Sequence, residues 1–106
     1  MPDSTSPAKA VIRSEFAGDA DFGEVLDGFI DAIPERCRLL ADLHHAGSIE
    51  ELGRVAHQLK GAGGGYGFPE ISEAAASLQQ ACRDNDASRI EGCLAELLDV
   101  LGRVEA

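Results

Sequence analysis

Apolar residues recur every three to four positions along most of this chain, with polar residues between them. That is the period of an amphipathic α-helix, with one buried and one wet face. A first helix is expected from near Asp21, where Glu24 three residues on completes a capping box. It carries Phe22, Val25, Leu26, Phe29, Ile30, Ile33, Cys37, Leu40 and Leu43, and Ala46-Gly47 ends it. Pro34 lies inside this pattern and should kink or split the helix. Ser48 with Glu51 forms a second capping box. The helix it opens carries Leu52, Val55, Ala56, Leu59 and Gly63, and runs into the glycine-rich stretch from Gly61 to Gly67. Pro69 suits the first turn of a third helix carrying Ile71, Ala74, Ala75, Leu78 and Cys82. Asp84-Asn85-Asp86 reads as a turn and cap. The last helix carries Ile90, Leu94, Leu97, Leu98, Leu101 and Val104. No segment alternates with period two for long enough to form a strand. The expected fold is all-α, an antiparallel four-helix bundle with a short N-terminal cap segment.

Length and charge narrow the function. With 106 residues the chain makes one domain, too small for a nucleotide-binding domain plus a substrate domain. Residues 1–18 are expected to be a lead, its first eight residues disordered, and residues 19–106 the bundle. Within the lead, Val11, Ile12 and Phe16 suit either a brief helix or an extended cap. Nineteen acids against nine bases give a formal net charge of −10, which excludes broad binding to nucleic acid or to an anionic membrane surface. No apolar run approaches the roughly 20 residues that span a bilayer. The N-terminus lacks the basic and apolar regions of a signal peptide, so a cytoplasmic monomer is expected. Cys37, Cys82 and Cys93 have no metal-ligand or paired spacing and read as reduced, half-buried apolar residues. No metal site is expected.

The second helix holds the visible chemistry. At 100° per residue its apolar residues cover an arc of about 100°, and His57 falls about 200° from Val55, pointing into water. Arg54 and Gly53 precede it by one turn, Lys60 and Gly61 follow by one, and Gly64 by two, all on one surface. Each glycine inside a helix costs roughly 1 kcal/mol relative to alanine. Gly53, Gly61 and Gly64 beside an exposed imidazole are explained by clearance for another molecule. Gly63 faces the core and suits close helix packing. From Leu52 through Pro69 there is no acid at all, and Arg54 and Lys60 are the only charged residues. Such an island suits an anion. Imidazole is nucleophilic near neutral pH. No orienting carboxylate, Ser or Cys nucleophile, or metal cluster stands nearby in the pattern. The site can carry a phosphoryl group, but a partner must supply the metal ion and carboxylates of transfer.

The run Ala56-His57-Gln58-Leu59-Lys60-Gly61, with Gly64 and Gly67 beyond, resembles the signature of histidine-containing phosphotransfer (HPt) domains, His-x-Leu-Lys-Gly with a later glycine. The resemblance covers about residues 20–104. It implies that His57 is phosphorylated and exchanges its phosphoryl group with an aspartate of a response-regulator receiver domain. A sensor or hybrid histidine kinase would be the other partner. Lys60 matches the family's lysine that assists the phosphoryl group, and Gly61 the glycine that gives access. The resemblance implies a phosphocarrier without kinase or phosphatase activity, with no cofactor of its own and Mg²⁺ on the partner receiver.

Other residues carry weaker signals. Arg54 either helps an anion site or keeps its face wet. Gln58 either hydrogen-bonds across the site or is simply an exposed polar residue. With Gly61 and Gly64 these two make up the expected docking surface. His44 and His45 suit a helix C-terminus. Tyr66 and Phe68 are expected to pack at the helix end. The Gly63-Gly64-Gly65 run is not a phosphate-binding P-loop, since it lacks the Lys-Ser/Thr ending and a preceding strand. A helical binding module that docks receivers or kinases without transfer is the alternative function. A di-iron or haem bundle is disfavoured, with no Glu-x-x-His pair and no Cys-x-x-Cys-His.

Overall fold

Pro34 breaks the first helical run in two. The computed structural model describes residues 10–105, so the disordered lead expected over residues 1–8 lies outside the described residues. Helix α1 spans Gly23–Asp31 and α2 spans Ile33–His45, with Ala32 between them. Pro34 sits in the first turn of α2, where its missing N–H would have had no partner. Beyond Gly47 (φ +74°), in the left-handed conformation that closes a helix, α3 spans Ile49–Gly65. Helix α4 spans Pro69–Arg83 and α5 spans Ala87–Gly102. Counting α1 and α2 as two parts of one helix, these make the all-α four-helix bundle expected. No described helix is long and apolar enough to cross a membrane.

The buried face of α3 is Leu52, Val55, Ala56, Leu59 and Gly63, the residues its periodicity marks. Leu40, Leu78, Ile90, Leu97 and Leu101 meet them in the core. In α4 the buried position near the C-terminus is Ala81, with Cys82 half-buried beside it. Gly63 sets the α3–α4 spacing. A β-carbon there would stand 2.8 Å from the Ser72 backbone nitrogen and 3.0 Å from Ile71 Cβ.

Two expected capping boxes are not made. Helix α1 starts after Phe22 with no side-chain cap, and Asp21 spends its own N–H on Asp19. Ser48 does precede α3, but its side chain makes no cap hydrogen bond. The third cap forms as read: Asp86 accepts from the Arg89 N–H at 3.2 Å and opens α5.

The N-terminal segment takes the extended form. Ile12–Arg13 (β1) pairs in parallel with Val104–Glu105 (β2), Ile12 opposite Val104. Val104 is thus outside the last helix, and a short pairing exists where no strand was expected. The chain is too short there to show a two-residue period. Ile12 is buried and its N–H donates to the Arg103 carbonyl at 2.8 Å. The buried Ser14 hydroxyl donates to the Tyr66 carbonyl at 2.6 Å, and the Glu15 N–H to the Gly67 carbonyl at 2.8 Å. Gly67 has φ +82°, and a β-carbon on it would meet Ser14 Oγ at 2.6 Å. The segment is a strap laid across the ends of α3 and α5. The five aromatic residues make one run of ring contacts that starts on it: Phe16 on Phe22, Phe22 on Tyr66, Tyr66 stacked on Phe29 at 4.5 Å, and Phe29 against Phe68.

Candidate functional site

Because Leu52, Val55, Ala56 and Leu59 turn α3 inward, His57 is forced outward, and it is exposed. Its imidazole is not free. Gln79 Nε2, on α4, lies 3.0 Å from His57 Nδ1. The side-chain amide has a donor end and an acceptor end. As placed, the amide nitrogen faces Nδ1 and can only donate to it. A half-turn of the amide presents its oxygen to Nδ1–H instead, which puts the ring's lone pair on Nε2, the nitrogen that Gln79 leaves clear. The site therefore has an orienting group, and it is neutral rather than a carboxylate. Sequence reasoning missed it because it comes from another helix. Gln58, the candidate for that role in the sequence, is exposed and its side chain makes no hydrogen bond among the described residues.

The glycines near His57 divide by function. A β-carbon on Gly61 would meet nothing within 4 Å, so the space beside the imidazole is open. Gly64 is exposed, with only Ser72 Oγ at 4.0 Å from such an atom. Gly53 differs from the expectation. A β-carbon there would come to 3.2 Å from Cys82 Cβ, so this glycine lets α4 approach rather than clearing the imidazole. Lys60 is exposed one turn beyond His57. Its carbonyl accepts from the Ser72 hydroxyl at 2.9 Å, which ties α3 to α4 at that level.

A groove of about 550 Å³ runs between α3 and α4, lined by Gly53, Arg54, His57, Gln79, Cys82 and Arg83 among others. Arg54 lies in it but its guanidinium is salt-bridged to Glu51, just outside the acid-free window. Burial, then the Cys93 charge, pushes the Cys82 thiol up, so this groove cysteine is a weak nucleophile. Burial raises Cys37 likewise. His44 and His45 lie in the last turn of α2, outside this groove. Tyr66 is half-buried and Phe68 fully buried at the end of α3. Among the described residues no three His, Cys, Asp or Glu side chains gather where they could hold a metal ion.

An exposed nucleophilic nitrogen, held from behind by an amide and flanked by an ammonium and an open glycine, can take up a compact electrophile brought by another molecule. No curated protein and no solved structure gives a match to the chain. The family model described as "Hpt domain" matches residues 24–106, which include all five helical segments but the first residue of α1. On that match, and with the bundle and the His57 motif in agreement, the chain belongs to the Hpt domain family.

Proposed function

We propose that this protein is a phosphocarrier of a two-component phosphorelay, with His57 as the residue that accepts and donates the phosphoryl group. Hpt domains carry phosphoryl groups in such relays without enzymatic activity of their own. The partners of the family are receiver domains and histidine kinases. The observation that carries the assignment is the exposed His57 ring, whose Nδ1 meets Gln79 and whose flank over Gly61 is open.

In the step, the Nε2 lone pair of His57 attacks the phosphorus of a receiver's aspartyl phosphate. The N–P bond forms, the P–O bond to aspartate breaks, and the aspartate leaves as a carboxylate. The reverse step returns the group. Gln79 holds the ring and, with its amide oxygen turned to Nδ1, accepts a hydrogen bond from the Nδ1–H. Lys60 offsets charge on the phosphoryl oxygens, and Gly61 and Gly64 leave room for the receiver. Mg²⁺ resides on the receiver, and this chain needs no cofactor. The exchange takes place in the cytoplasm, between a monomer of this protein and its partners.

Incubation with receiver domains carrying labelled phosphoryl groups tests the reading. Label should move to the wild type, survive alkali and be lost in acid, and His57→Gln should take up none. A His57→Gln protein that is labelled as well as the wild type refutes the assignment. Stable docking of receivers with no label on the wild type would make this a binding module instead.

A further inference from the structure

Arg83 ends α4 four residues beyond Gln79 and lines the groove that holds His57. Residues four apart share a helix face, so Arg83 stands one turn from the amide that touches the imidazole. Five described arginines are committed to acids: Arg13 to Glu105, Arg38 to Glu35, Arg54 to Glu51, Arg89 to Asp84 and Arg103 to Asp99. Arg83 has no ion pair or hydrogen bond with any described side chain. Asp84, its neighbour in sequence, is taken by Arg89 at 2.6 Å and by Gln80 at 3.1 Å. Arg54, the other guanidinium of the groove, is held by Glu51. Arg36 is also without a salt bridge, but it lies on α2, outside the groove. The groove that holds the reactive ring thus keeps one guanidinium without a salt bridge, and one acid, Glu50, also lines it.

The inference rests on the phosphocarrier reading. A partner site that holds Mg²⁺ beside a phosphorylated aspartate is built from carboxylates. Such a site and a protein of net charge −10 repel as they approach. We propose that Arg83 is a specificity-determining docking residue, whose guanidinium meets a carboxylate on the rim of the receiver's aspartyl-phosphate site. Receivers lacking an acid at that point would dock more weakly. Arg83 would act on encounter and register, leaving the chemical step to His57.

The test measures transfer from a labelled receiver to the wild type and to Arg83→Gln, Arg83→Glu, Arg83→Lys and Arg36→Gln, over a range of receiver and salt concentrations. Arg83→Gln should raise the half-saturating receiver concentration roughly two- to fivefold at low salt, with the limiting rate unchanged. Arg83→Glu should raise it further, and Arg83→Lys should keep most of the wild-type value. The differences should shrink as salt shortens the Debye length. Arg36→Gln, with the same change in net charge, should match the wild type. Thermal melts check that each variant is folded. Equal saturation curves for the wild type and Arg83→Glu at low salt overturn the proposal and leave the phosphocarrier reading standing. So does a loss confined to the limiting rate, which would place Arg83 in the chemical step, or an equal loss in Arg36→Gln. A wild type that no receiver labels refutes the phosphocarrier reading, and this inference with it.

Discussion

Gly61 and Gly63 are two positions apart on one helix and answer to different constraints. The space at Gly61 is open, so Gly61→Ala should stabilise by up to about 1 kcal/mol. Gly61→Gln should also fold, yet transfer slowly, because its side chain stands where reacting atoms must close to roughly 3–3.5 Å. Melts and transfer rates on one sample check both. At Gly63 a β-carbon meets backbone, so Gly63→Ala should cost about 1–3 kcal/mol by overpacking α3 on α4, measured by urea denaturation. Lys60→Ala should slow transfer and leave the melting temperature nearly unchanged, since its side chain is exposed. Losing the Gln79 hydrogen bond in Gln79→Leu should cost about 1 kcal/mol of ring alignment, or roughly fivefold in transfer rate. His57, Lys60 and Gly61 were legible because helical spacing alone puts them on one surface. Gln79 was not, because its place depends on how two helices align. The pairing of Gly53 with Cys82 and of Gly63 with Ser72 fixes that alignment, and it brings position 79 level with position 57.

Local signals located helix ends better than the bonds that make them. Pro34, Gly47 and Pro69 mark real boundaries, since each restricts or frees its own backbone. The capping boxes at Asp21 and Ser48 did not form, because a cap also depends on where the preceding chain leads. Asp86 does cap α5. Asp86→Ala should therefore lower stability by about 1 kcal/mol, seen as a lower urea midpoint. Asp84 in the same turn accepts from Arg89 and then from Gln80, which holds its carboxyl below the usual carboxylate range. A depressed folded-state pKa gives stability that is present above the unfolded value and lost as pH falls through the folded one. The wild type should thus lose stability on acidification below about pH 4 more steeply than Asp84→Asn does, measured as melting temperature against pH.

The four-helix architecture could be read from periodicity because each helix buries a continuous stripe, but the strap could not. Ile12, Ser14 and Phe16 are too few to show a period, and their partners lie at the far end of the chain. The strap carries the first ring of the aromatic run, Phe16, and buries Ile12, so a protein beginning at residue 19 should be folded but less stable than the full chain by about 2–4 kcal/mol. Calorimetry of the two proteins gives the comparison. Pairing Ile12 with Val104 also has a kinetic consequence. Closing a loop costs entropy that grows with its length, and this contact encloses nearly the whole described chain. The α3–α4 and α4–α5 hairpins close short loops and can condense first. The strap is therefore expected to dock after the folding barrier has been crossed. In stopped-flow experiments, Ile12→Ala should speed unfolding severalfold and leave the folding rate almost unchanged. The amide protons of Ile12 and Glu15 should exchange with solvent well before those in the middle of α3 and α4.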